Sequence, residues 1–183
     1  SNTDVITIDP QGNSGSLWTK VTSTVVPGLN NAYDLGTSAL KWANVYATTV
    51  RSVATSAQYA DLAEKYLADA EYPVGTVMAV GGEKEVTACN VYGDVKLAGV
   101  VSTDPAYLMN SNAGSDITHP AIALKGRVPI KVYGTVKKGD LLTTSPYAGH
   151  AEVAGDNVRD SAIIGIALSN NETGPAVIEV MIK

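Results

Sequence analysis

The sequence predicts a mainly β chain with a thin N-terminal β-ribbon, one short helix and a compact C-terminal β barrel or sandwich. Three observations carry this prediction. Gly, Ala, Val and Thr are plentiful and Phe is absent, a mix that suits strands and tight turns better than helices. Short runs with one apolar face recur from Thr76 onward, separated by Gly, Pro, Asn and Asp, as in small barrels and sandwiches. Charged residues make up only 17% of the chain, against roughly 25% in ordinary proteins. A surface so poor in charge desolvates little when it is covered by a partner.

Residues 1–54 read as short strands broken by turns. Val5-Ile6-Thr7-Ile8 stops at Asp9-Pro10-Gln11-Gly12-Asn13, and the run Val21 to Val26 stops at Pro27-Gly28. Leu35-Gly36 marks another turn. The segment from Asn44 to Val50 is strand-like by its β-branched and aromatic content. The region has too few large apolar residues to form its own core, so it needs partners, and further copies of itself are the simplest. Trp42 and Tyr46, four apart, are assigned to such an interface.

Residues 55–71 read as a helix linker. Thr55 or Ser56 can cap its start, and neither Gly nor Pro follows until Pro73. Ala60, Ala63, Leu67 and Ala70 follow a 3-4-3 spacing, the rhythm of a coiled-coil seam. Asp61 and Lys65 stand in the favourable i,i+4 order for a helical ion pair. Two heptads are too short for an independent coiled coil, so the helix packs either on its own domain or around a threefold axis.

Residues 72–183 read as the β domain. Thr76–Val80 and Glu85–Cys89 flank Gly81-Gly82-Glu83-Lys84 as a hairpin, and Val86–Val91 with Val95–Ser102 flank Tyr92-Gly93-Asp94 as a second. Residues 103–120 form the longest loop. Val128, Ile130 and Val132 alternate with Arg127, Lys131 and Tyr133. Leu141–Thr144, Ile163–Leu168 and Val177–Ile182 continue as strands, with Ile178, Val180 and Ile182 facing one way.

The residues argue for few chemistries. Net charge is −5 without a run of Lys or Arg, so a nucleic-acid footprint is missing. The single cysteine, Cys89, forms neither an intrachain disulfide nor a cysteine metal cluster. No apolar stretch approaches the ~18 residues of a membrane-spanning helix, and the polar opening of the chain is unlike a signal peptide. His119 and His150 are read as exposed loop histidines. Asp156, Asn157 and Asp160, like Asp9 and Asn13, lack calcium-loop spacing and are read as turn residues. No cofactor and no metal is expected. Ser102, with Asp104 two residues on, is the one nucleophile–carboxylate pair that offers self-cleavage, against the simpler reading that both build the turn before Pro105.

Two stretches resemble known families. Asn31-Ala32-Tyr33-Asp34-Leu35-Gly36-Thr37 followed by Lys41-Trp42-Ala43-Asn44-Val45-Tyr46-Ala47-Thr48 resembles a segment of phage tail-fibre proteins, and Tyr59 to Tyr66 looks like its link to a C-terminal assembly domain. Gly99-Val100-Val101-Ser102, Gly126-Arg127-Val128-Pro129-Ile130-Lys131-Val132, Val136-Lys137-Lys138-Gly139-Asp140-Leu141-Leu142 and Ile164-Gly165-Ile166-Ala167 resemble the β domain that ends phage fibres and neck appendages. That family includes intramolecular chaperones, some of them self-cleaving. The chain lacks the helical C-terminal bundle of the endosialidase type. The resemblance implies an intertwined homotrimer in the virion, made in the host cytoplasm, with other fibre or baseplate proteins as neighbours. It allows host glycan as a further partner, touched by the 103–120 loop and exposed tyrosines. It assigns no self-cleaving residue.

Overall fold

The structure is a computed structural model that describes residues 24–30, 32–43, 45–49 and 60–183. The chain divides into two compact units, Ser1–Ser52 and Val53–Lys183. The strands expected before residue 24 lie outside the described residues.

In the first unit the described residues form turns, bends and irregular chain without a strand. Thr37 anchors the turn after Gly36: its N–H donates to the Leu40 carbonyl at 2.9 Å, and its hydroxyl accepts from the Leu40 N–H at 2.9 Å. The strand expected over 44–50 is absent from residues 45–49. High β propensity alone does not make a strand, because the ladder needs a second backbone.

Among the described residues the second unit holds ten strands: β1 (Asp61–Lys65), β2 (Val77–Val80), β3 (Val86–Ala88), β4 (Leu97–Val101), β5 (Tyr107–Met109), β6 (Ala121–Tyr133), β7 (Leu141–Thr144), β8 (Ala151–Val153), β9 (Ile163–Ala167) and β10 (Pro175–Ile182). The order β10-β9-β7-β8-β6 closes on itself because β10 also pairs with β6. The result is a closed five-stranded barrel. Val128, Ile130 and Val132 of β6, Ile178, Val180 and Ile182 of β10, Leu142 and Ile164 fill it. The alternation expected for β6 and β10 is the one observed: these side chains are buried, and Arg127, Tyr133, Glu179 and Met181 are exposed.

β6 serves two parts of one ten-stranded sheet. Its first half, from Ala121, pairs with β1 and β4, and its second half with β10. Gly126 is the hand-over residue, opposite Asp61 of β1 and Ile182 of β10. It sits at φ +116° with the Ala60 carbonyl against its α-carbon, where a Cβ would collide. Only glycine takes that conformation readily. Over the first half of β6 a second core gathers Ala68, Met78, Val86, Val101 and Ile122.

Three expectations need correction. Residues 61–65, inside the expected helix 55–71, form strand β1, and Ala68 bridges to Val86; residues 55–59 lie outside the described residues. An open edge of β6 offers this segment a full ladder, and tertiary pairing overrides helix propensity. The second hairpin does not form: β2 lies between β3 and β4, so β4 pairs with β2 and not with β3. The 103–120 segment is not all loop, since β5 runs parallel to β1 within it.

Candidate functional site

Ser102 and Asp61 form the most chemically loaded contact of the second unit. Ser102 directly follows β4, and its N–H donates to the Ala121 carbonyl at 2.8 Å. Asp61 opens β1 on the buried face. Their side chains meet with the Ser102 hydroxyl donating to Asp61 Oδ2 at 2.6 Å. Both are more than nine-tenths buried. A buried carboxylate oxygen needs a hydrogen-bond donor in reach, and Ser102 supplies one.

The Ser102–Asp104 segment separates two clefts. One, of about 390 Å³, lies against Tyr72, Pro73, Leu108, Asp116 and Ile117. The other, of about 330 Å³, lies against Ala60, Arg127 and Pro129 and is also lined by Asp61. Asp104 is exposed on the rim. Of the two self-cleavage candidates, Ser102 hydrogen-bonds Asp61 and not Asp104. No local signal pointed to Asp61, because strand pairing across a long sequence separation brings it there. His119 and His150 are half-buried rather than exposed. Nδ1 of His119 lies 3.0 Å from the Thr118 hydroxyl, and Nδ1 of His150 lies 2.8 Å from the Ala148 carbonyl.

The wall of the first cleft is tied down by Lys65. Its ammonium donates to the Gly114 carbonyl at 2.6 Å and pairs with Asp116 at 2.8 Å. Asn110 donates from Nδ2 to the Lys65 carbonyl at 3.1 Å. The 110–119 segment is therefore held at both ends of one residue.

The residues assigned to a protomer interface fall in both units. Trp42 and Tyr46 are 64% and 94% exposed in the first unit. In the second unit Ala60 and Ala70 are exposed and Leu67 half-buried. Ala63 is fully buried against β6, so it faces its own chain. The helical seam is lost with the helix.

Several titratable groups are perturbed. Burial and then the Glu64 carboxylate, which accepts the Tyr66 hydroxyl at 2.7 Å, push the Tyr66 phenol up to about 12. The Tyr72 hydroxyl, donating to Asp69, holds that carboxyl below the usual range. Burial lowers the Lys131 ammonium, which donates to the Thr76 hydroxyl at 2.9 Å, and raises the Cys89 thiol. Among the described residues no group of three or more His, Cys, Asp or Glu is placed to hold a metal ion. No described helix is long and apolar enough to cross a membrane.

No family model matches the sequence, and no curated protein matches it. Solved structures do. The pre-mature bacteriophage phi29 gene product 12 superposes with a TM-score of 0.53 at 14% identity, over 74% of this chain. This chain spans only 23% of that one. The head fiber gp8.5 N base of bacteriophage phi29 aligns with a TM-score of 0.41 at 16% identity, over 67% of this chain and 93% of that one. At these identities the first likeness establishes a shared fold.

Proposed function

We propose that this chain is a structural part of a tailed-bacteriophage particle. In this reading it is a homotrimeric segment of a tail fibre or appendage, and its second unit sets the register of the three copies. It works by assembly and not by catalysis on a substrate, and its partners are its own copies and neighbouring fibre or baseplate proteins.

One observation carries the reading. Between Val25 and Tyr46 nine large apolar side chains are 64 to 94% exposed, Leu35, Trp42 and Tyr46 among them. Leaving such side chains in water forgoes about 25 cal/mol for every Å² that could be buried, and clustered exposure of this kind marks an association surface. The fold shared with a bacteriophage protein and the fibre-like motif over residues 31–48 support the same conclusion. Copies of one chain meet this need with equivalent interfaces under closed symmetry, and a one-residue slip between them would turn every side chain to the wrong face.

Light scattering coupled to size exclusion tests it. The expected mass is about three times 19.0 kDa, and the double variant Trp42→Ser with Tyr46→Ser shifts the population toward monomer. A wild-type chain that stays monomeric at micromolar concentration overturns the reading.

The buried Ser102–Asp61 pair favours a second reading, a chaperone that cuts its own chain once. Intact mass followed over days on wild type and Ser102→Ala decides it. An unchanged wild-type mass ends it.

A further inference from the structure

Among the described residues, β5 is the one strand whose second edge is left open. It pairs with β1 on one side and with no strand on the other. β3, at the far end of the sheet, pairs with β2, and residues 67–69 cover its other edge. There the Glu85 and Val86 N–H groups donate to the Leu67 carbonyl at 3.0 and 3.2 Å, and the Asp69 N–H donates to the Val86 carbonyl at 3.2 Å. The remaining strands each pair with at least two others. Proteins commonly blunt an open edge with a charge, a proline or a bulge. Tyr107-Leu108-Met109 carries none of these. The strand is also fixed at both ends. The Ala106 N–H donates to the Asp61 carbonyl at 2.9 Å, and the Asn110 amide donates to the Lys65 carbonyl at 3.1 Å. Its backbone is therefore ordered before any partner arrives, which lowers the cost of pairing.

The cleft of about 390 Å³ beside this edge supplies selectivity. Leu108, the middle residue of β5, lines it together with Val74 and Ile117, which are 40% and 60% exposed. Glu71, Asp104 and Asp116 also line it, all three exposed, and no Lys, Arg or His does. Asp116 pairs with Lys65 yet stays 86% exposed. Glu71 and Asp104 enter no ion pair among the described residues. The side chain that suits this lining has an apolar stem for Val74, Leu108 and Ile117 and a cationic head for the carboxylates, as Lys and Arg have. In a strand added to β5, every second side chain falls on the face of Leu108 and the cleft. The side chains between them share the face of Tyr107, 65% exposed, and suit an apolar residue.

We propose that the β5 edge and its acidic cleft bind an extended segment of a partner protein, added as a further strand, in which Lys or Arg alternates with apolar residues. Main-chain hydrogen bonds to the open edge give affinity, and the cleft selects the alternate side chains. A second copy of this chain suits the cleft less well: Lys41 is the one cation among the described residues of its first unit, against three carboxylates. The proposal needs one unit of one chain and does not rest on trimer assembly.

Fluorescence anisotropy on the full chain tests this, with a labelled, end-capped short peptide that alternates lysine with valine. The peptide binds, added salt weakens it, and the amide shift changes centre on Tyr107–Met109. The triple variant Glu71→Gln with Asp104→Asn and Asp116→Asn weakens binding about tenfold, as three surface ion pairs of modest weight imply, with the thermal midpoint unchanged. Two further peptides carry N-methyl groups on the lysines alone or on the valines alone. Only one row of peptide N–H groups faces β5, so one methylated peptide is silent and the other still binds. Absence of binding at millimolar peptide overturns the proposal, as does equal binding by a peptide with glutamate in place of lysine. Equal binding by the two methylated peptides overturns strand addition. Light scattering separates the remaining occupant: a peptide that lowers the mass of the chain's own assembly overturns the proposal in favour of a contact between copies, and an unchanged mass supports it.

Discussion

Ser102 and Asp61, 41 positions apart, share a buried hydrogen bond of 2.6 Å that joins the end of β4 to the start of β1. Removing one partner strands the other. Ser102→Ala is expected to cost about 1–3 kcal/mol, the penalty for leaving a buried polar group without its donor. Asp61→Ala with Ser102→Ala should cost less than the sum of the two single changes. Urea titration of the four-member cycle measures this. A coupling indistinguishable from zero would show that water serves both groups in place of each other.

Lys65 makes two contacts of unequal weight. Asp116 is 86% exposed while the Lys65 side chain is 9% exposed, so the ion pair contributes about 0–1 kcal/mol. The bond to the Gly114 carbonyl has a charged donor and contributes about 1.5–3 kcal/mol. Asp116→Asn should therefore change stability little. Lys65→Met should destabilise clearly and raise amide exchange over residues 111–119. Equal effects from the two variants would contradict this ranking.

Gly126→Ala places a methyl group against the Ala60 carbonyl at φ +116°. A non-glycine residue in that region carries strain of about 1–3 kcal/mol before any collision. We expect loss of the β1–β6 ladder while the barrel side of β6 keeps its pairing. Hydrogen exchange resolves the two halves, with protection lost at 61–65 and kept at 128–132. Uniform loss along β6 would mean that the two halves of its ladder unfold as one.

Tyr66 predicts an alkaline limb. Its phenol rises from about 10 in the unfolded chain to about 12 in the folded one. Between those values the unfolded chain releases a proton that the folded chain keeps, so stability falls as pH rises from about 10 to about 12. Below pH 10 the contribution is fully present. Tyr66→Phe should flatten this part of the stability profile relative to wild type. Parallel profiles from pH 9 to 12 would refute the shift.

The barrel was legible because its signal is local. Val128, Ile130 and Val132, and Ile178, Val180 and Ile182, alternate within single strands, and burial follows the alternation. β1 was not, because Asp61 and Lys65 share a face in a helix and in a strand alike. What separates the two outcomes is a partner strand 60 residues on, across the pairing of Lys65 with Ala121 fifty-six positions later. The Ser102–Asp61 pair was hidden for the same reason. Local reading offered Asp104, the carboxylate nearby in sequence, and the fold supplied Asp61 from another strand. The edge of β5 was invisible in a different way: Tyr107-Leu108-Met109 sits in a stretch rich in Asn, Ser, Gly and Pro, and only its pairing with β1 makes it a strand.

The double use of β6 has a consequence for the order of synthesis. Its first half meets β1 and β4, which precede it, and can pair as soon as residue 126 has emerged from the ribosome. Its second half must wait for β10, made some forty residues later. Through that interval the rim of the unfinished barrel presents unpaired backbone on β6 and β9, a template for edge-to-edge aggregation. A ribosome pause or truncation before residue 175 would leave the nascent chain in this state, so expression yield should depend on translation through β10 more steeply than on any equal stretch before β6.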